Sequence, residues 1–192
     1  WVYVPSGFVS TGVNLTIKQN RQNLINEALW LTKECGFDGV QWDYEFFPSG
    51  ETTFPTLLDE TRAAIGKECH LSTCAPMWYP NTLWGWNDDD FKRVAGHCDQ
   101  ICVMDYDSFF YYPRSYVWLM KENVARISRD MEGTDTKVVF GFPVYDDGTL
   151  GHSTVSENVV TSLAGIREGL ADPRTNLKAI EGIAPFAEYT MQ

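Results

Sequence analysis

No apolar run in the 192 residues approaches the ~20 needed to cross a bilayer, and the N-terminus lacks the charged-then-apolar pattern of a signal peptide. Nothing in the sequence anchors the chain to a membrane. It opens at Trp1 without an initiator methionine, so the lack of a leader says nothing of export and the localisation stays open. Basic residues are sparse, with 15 Lys and Arg against 26 Asp and Glu and a formal net charge of -11. A nucleic-acid backbone is therefore excluded as partner, because neutralising phosphates needs clustered cations. A neutral ligand fits better. No Gly-x-Gly-x-x-Gly follows the first apolar run, which removes the usual signal for a dinucleotide. No Cys-x-x-Cys occurs among the five cysteines, so a zinc or dithiol site has no signature, and the odd number leaves at least one unpaired within the chain.

What is present is an alternation. Short apolar or aromatic runs near 2–5, 39–45, 71–75, 100–106, 137–142 and 182–187 are predicted strands. Between them stand stretches with apolar residues at helical spacing: Leu24, Ile25, Ala28, Leu29, Leu31 and Cys35; Leu57, Leu58 and Ile65; Val117, Met120, Val124 and Ile127; Val155, Val159, Leu163, Ile166 and Leu170. Thr53 is a candidate N-cap with Pro55 in the first turn behind it. The run Asn87-Asp88-Asp89-Asp90 caps a short helix carrying Phe91 and Val94. No linker or low-complexity tract interrupts the pattern, so residues 1–192 form one domain of α/β class. Pattern alone leaves open whether the parallel sheet closes into a barrel or stays doubly wound.

Cys35, Cys69 and Cys98 each lie a few residues before a strand, so they gather at one end of a barrel, where either a disulfide or free thiols fit. Trp78, Trp84 and Trp86 fall close together, and their flat faces suit either a sugar ring or a core. Asn14-Leu15-Thr16 is an N-glycosylation sequon, a triplet common by chance.

The segment Asp38-Gly39-Val40-Gln41-Trp42-Asp43-Tyr44-Glu45 carries chemistry. Alternate residues of a strand share a face, so Gln41, Asp43 and Glu45 point one way while Val40, Trp42 and Tyr44 point the other. Two acids thus converge at the C-terminal end of a strand, the catalytic end of a parallel barrel. Crowding them into a partly dry site raises the pKa of at least one, which keeps a carboxyl protonated for general acid catalysis. The competing reading is a structural or metal-binding acidic cluster, but His70, His97 and His152 show no ligand spacing relative to this strand.

This segment resembles the fourth strand of glycoside hydrolase family 18, the chitinase and chitinase-like barrels, which reads Asp-Gly-x-Asp-x-Asp-x-Glu. Gln41 stands where the second acid of that pattern belongs. Met104-Asp105-Tyr106-Asp107 resembles the family's sixth-strand Met-x-Tyr-Asp, and Gly141-Phe142-Pro143-Val144-Tyr145 its seventh-strand Gly-x-Pro-x-Tyr. Ala75-Pro76-Met77 resembles the end of the fifth strand and residues 182–189 the eighth, with Phe186 or Tyr189 in place of a Trp beneath the reacting sugar. Ser6-Gly7-Phe8 and Asn20-Arg21 resemble the loop and helix of the third unit.

The resemblance implies a TIM-type (β/α)8 barrel, here incomplete. Equivalents of the third to eighth strands are present, and about two units of ~30 residues each are missing. A fragment, or a chain completed by a partner, is therefore expected, because an open arc exposes interior residues and two sheet edges. It also implies a retaining hydrolase of β-1,4-linked N-acetylglucosamine polymers, chitin or its oligosaccharides, acting by substrate-assisted catalysis. Glu45, Asp43 and Tyr106 are the implied catalytic residues. Gln41, Met104, Asp107, Trp78, Tyr145 and Tyr189 are the implied substrate-binding residues. No metal or organic cofactor is implied, and the substrate class favours an extracellular setting. An endo-β-N-acetylglucosaminidase acting on N-glycans and a non-catalytic chitin-binding lectin share the same motifs. Gln41 is expected to donate a hydrogen bond to Asp43 and keep it ionised.

Overall fold

The computed structural model describes residues 2–3, 13–44, 50–80, 85–146 and 150–186. Glu45, Trp84 and Tyr189 lie outside the described residues, as do Ser6, Gly7 and Phe8. The strands are β1 (Val2–Tyr3), β2 (Gly39–Asp43), β3 (His70–Pro76), β4 (Gln100–Met104), β5 (Lys137–Pro143) and β6 (Ile180–Phe186). They form one sheet in the order β1-β2-β3-β4-β5-β6, parallel throughout. The helices are α1 (Lys18–Leu29), α2 (Thr53–Ile65), α3 (Asp88–Val94), α4 (Pro113–Asp130) and α5 (Val159–Leu170), with a π-helical turn at Trp30–Glu34 continuing α1. Every strand pairs with its neighbours in sequence, and β1 and β6 are the sheet's edges among the described residues. On β6 the alternate residues Glu181, Ile183 and Pro185 are exposed.

Alternation along the strands sets which side meets the helices. Val40, Trp42 and Tyr44 are buried toward the helical layer: the Trp42 indole N–H donates to Thr61 Oγ1 on α2 at 3.2 Å, and Tyr44 stacks on Phe54 at 5.2 Å. Leu71, Ile101, Val103, Val138 and Phe140 continue that core, each fully desolvated side chain contributing roughly 1.5–3 kcal/mol. The opposite face carries Gln41, Asp43, Ser72, Cys74, Cys102, Met104 and Gly141. In register, Pro76 lies beside Met104, Met104 beside Gly141 and Gly141 beside Ala184. No helix among the described residues is long and apolar enough to cross a membrane.

Several local expectations are revised. Thr53 is the first residue of α2 and its N-cap is Thr52; the Glu51 carboxylate does the capping, accepting from the Thr53 and Phe54 amides at 2.6 and 3.0 Å. A carboxylate there also meets the positive end of the helix dipole. The Asn87 cap is as expected, a reciprocal box with Asp90. On α5 the buried face is Ser162, Gly165, Ile166 and Gly169, while Val155, Val159 and Leu170 are exposed. The reason is close packing on α4: a Cβ built on Gly165 or Gly169 would fall 2.5 Å from the Cβ of Met120 or Val124. Cys35 is exposed beyond the π turn, and all five cysteines are free thiols, so no disulfide joins Cys35, Cys69 and Cys98.

Candidate active site

Asp43 is 7% exposed, at the C-terminal end of β2 on the face away from the helices. Beneath it the wall is lined by thiols. Burial, then the facing Asp105 and Asp43 carboxylates, push the Cys102 thiol up to about 11, so it is neutral at physiological pH. Gln41 does not donate to Asp43. Its Nε2 donates to Cys74 Sγ at 2.9 Å, and its Oε1 accepts from Ser72 Oγ at 3.1 Å. Adjacent interior positions of β2 and β3 meet in register, so the nearest polar partners of the carboxamide lie across the strand pair and not along the strand.

Gly39 and Gly141 have steric reasons to be glycine. A Cβ on Gly39 would fall 2.0 Å from the His70 carbonyl oxygen, and one on Gly141 would fall 2.7 Å from that of Val103 and 3.5 Å from the Tyr106 ring. Tyr106 consequently lies close over β5. Its other neighbour is Phe186, stacked parallel with centroids 4.7 Å apart and an interplanar angle of 7°. Tyr145 meets both edge-on, at 6.2 Å from Tyr106 and 5.9 Å from Phe186. The Tyr145 hydroxyl donates to Asp107 Oδ1 at 2.6 Å. Burial, reinforced by that carboxylate, raises the Tyr145 hydroxyl pKa, so it stays a donor.

The turn after β4 is bound to the loop after β5. Asp107 and Phe109 adopt left-handed backbone at φ 56° and 60°, uncommon for residues with a side chain. The buried Glu157 carboxylate accepts from the amides of Asp107 and Ser108 at 2.9 and 3.0 Å and from Ser108 Oγ at 2.6 Å. His152, also buried, places Nδ1 3.2 Å from Glu157 Oε2 and 3.8 Å from Asp107 Oδ1, with Nε2 3.1 Å from the Tyr145 carbonyl oxygen. Ligand atoms of Asp107, His152 and Glu157 lie within 4.8 Å of one another, the one grouping among the described residues with the spacing of a cation site. Sequence reasoning missed Glu157 and His152, since a separation of 50 residues between Asp107 and Glu157 carries no periodic signal.

Trp78 is held by its backbone: its amide donates to Asn123 Oδ1 at 2.7 Å and its carbonyl accepts from Asn123 Nδ2 at 3.1 Å. Its ring lies edge-on to Trp118 and 4.3 Å beneath the Arg126 guanidinium, so α4 covers one face of the expected sugar platform. Trp86 is 2% exposed against Phe91 and serves the core. Asp105, beside Tyr106, is 1% exposed with neither carboxyl oxygen hydrogen-bonded among the described residues. Burial raises its pKa well above the usual carboxylate range, because an ion is costly there.

Asp43, Met104, Tyr106 and Tyr145 thus lie along one strand-end rim of a parallel β/α array. The description "Glycosyl hydrolases family 18" matches residues 7–182. The chain belongs to this family. Its sheet is part of the family 18 TIM-type barrel, incomplete here. It is similar in structure to a class V chitinase from Pseudomonas fluorescens Pf-5, at 18% identity and TM-score 0.56, over 71% of this chain and 44% of that one. A chitinase from Bacteroides thetaiotaomicron is similar at 18% identity and TM-score 0.54, over 93% and 59%. The spore cortex-lytic enzyme SleL of Bacillus cereus follows at 15% and 0.56, over 74% and 36%. The chain therefore spans less than two thirds of each of these structures, and at such identities the likeness shows the fold alone. No curated protein matches.

Proposed function

We propose that this chain carries the catalytic half of a retaining hydrolase of β-1,4-linked N-acetylglucosamine polymers, chitin or its oligosaccharides. The observation that supports this most is the placing of Asp43 on the interior face of β2, at the same strand-end rim as Tyr106 and Tyr145. Glu45, two residues beyond Asp43 in the motif, protonates the glycosidic oxygen. The substrate's 2-acetamido carbonyl oxygen attacks the anomeric carbon as the bond to the leaving sugar breaks, giving an oxazolinium ion. Asp43 accepts from the acetamido N–H and stabilises the positive charge, an effect strengthened by its burial. Tyr106, braced by Phe186, orients the acetamido group. Glu45, now a carboxylate, takes a proton from water as it opens the ion, with net retention.

Asp107, Met104, Gln41 and Tyr145 line or support the sugar cleft in this reading. The test is release of chromophore from an N-acetylglucosamine dimer, with Glu45→Gln abolishing turnover while binding of chitooligosaccharide survives. Binding without turnover in the unaltered chain would instead indicate a lectin. Cleavage of a glycoprotein's chitobiose core in preference to chitin oligomers would indicate the endo-acting alternative.

A further inference from the structure

The side chains that fix the Tyr106–Asp107–Ser108 turn come from a segment that contributes nothing else to the sugar rim. We propose that Glu157, seconded by His152, is a positioning residue: it holds the left-handed turn and thereby places Tyr106, Asp107 and the Tyr145 hydroxyl around the acetamido group. The proposal rests on the hydrolase reading above for the chemistry served, but the brace itself is a property of this chain.

The hydrogen positions follow from the acceptors. A carbonyl oxygen only accepts, so His152 Nε2 carries a hydrogen toward Tyr145 O. On the other side of the ring, Nδ1 faces Glu157 Oε2 at 3.2 Å, within hydrogen-bond distance. Both Glu157 oxygens are then filled: Oε1 by the Ser108 amide and hydroxyl, Oε2 by the Asp107 amide and His152. Those amides have no strand or helix partner to turn to, so Glu157 replaces the backbone acceptor they lack. The Tyr145 ring stacks on the His152 ring at 4.4 Å while its hydroxyl reaches Asp107. Movement of His152 is thus transmitted to the group that grips Asp107. Phe109 completes the brace by donating its amide to Gly151 O at 2.9 Å, and any Cβ at Gly151 would press on the Phe109 ring at 3.1 Å.

The groups that face this pair are Asp107 and Tyr145 on His152, and Tyr79, Tyr116 and Tyr145 on Glu157. His152 thus touches both Glu157 and Asp107, and its displacement loosens the two together.

The experiment uses the full chain as it stands. Glu157→Ala is expected to lower kcat on the chromogenic dimer ~10- to 100-fold with a smaller change in KM, the scale of an orientation defect. Glu157→Gln, which keeps the shape and one good acceptor, recovers part of the loss. His152→Gln lowers kcat less than Glu157→Ala does, because Glu157 keeps its Asp107 and Ser108 donors. One readout does not need turnover: amide exchange at Asp107 and Ser108 accelerates in Glu157→Ala. Folded Glu157→Ala and Glu157→Gln proteins with unaltered exchange and unaltered kcat would overturn the proposal. So would a stoichiometric divalent cation in the purified protein that disappears in His152→Gln. If exchange behaves as expected but the unaltered chain cleaves no sugar, the brace stands and the hydrolase reading fails.

Discussion

Gln41 Nε2 donates to the Cys74 sulphur across 2.9 Å, tying the position where the family pattern has an acid to the neighbouring strand and not to Asp43. At position 41 the neighbour of Asp43 along the strand is thus a neutral amide and not a carboxylate. Gln41→Asp supplies the carboxylate. Because adjacent carboxylates resist joint ionisation, the acidic limb of the activity profile should move upward by about one pH unit. A profile measured with the chromogenic dimer that coincides with the unaltered protein's would refute this coupling.

Tyr145→Phe removes the donor from Asp107 and nothing else of the packing against His152 and Phe186. Stability in denaturant titration should fall by about 1 kcal/mol, the worth of one hydrogen bond to a charged but half-exposed partner. Turnover should fall more than that figure implies, since Asp107 then loses its orientation. Comparing the two measurements on one preparation checks the point.

Gly165→Ala and Gly169→Ala bear on the helical layer. In an exposed helix each change would stabilise by about 0.8–1 kcal/mol. Here the new methyl meets Met120 or Val124 at 2.5 Å, so the sign reverses, with an expected cost of roughly 1–3 kcal/mol each. Thermal unfolding of both variants decides it, with chromophore release unchanged at low temperature because α5 lies behind the sheet.

Asp130 supplies a pH signature. Burial, then the neighbouring Asp88, push its carboxyl up to about 6, against Arg129 and Lys92, which pull it down. The folded state thus binds this proton more tightly than the unfolded chain, whose Asp titrates near ~3.9. The contribution is fully present below that value and is lost as pH rises through about 6. Asp130→Asn should match the unaltered protein near pH 4 and exceed it in stability at pH 7.5 by about 1–2 kcal/mol, as read from denaturant midpoints across that window.

The strands were legible because each is a short apolar run broken by polar loops, and the β2 face was legible because alternation has a fixed period. Gln41's partners were not, since they depend on which residue of β3 lies opposite, a matter of register that one strand's sequence does not state. The α5 face was misread for a related reason. Apart from Ile166, which the pattern marks, its buried side is made of Ser162, Gly165 and Gly169, residues whose value is their smallness against α4. Glu157 and His152 were invisible because each acts on backbone groups far away in sequence. Trp78 and Trp86 were recognisable as a cluster, but whether an indole meets sugar, Arg126 or Phe91 is settled by packing.

The strand order has a consequence for how the molecule is made. Among the described residues each strand pairs with its immediate predecessor and successor in the chain. Within this sheet each new strand emerging from the ribosome therefore finds its neighbour already synthesised. Loop closures stay short, so ordering can propagate from β2 outward as a growing seam. The rim residues mature late in that progression: Tyr106 and Asp107 are translated well before Glu157, and their turn acquires its acceptor only when α5 begins to form.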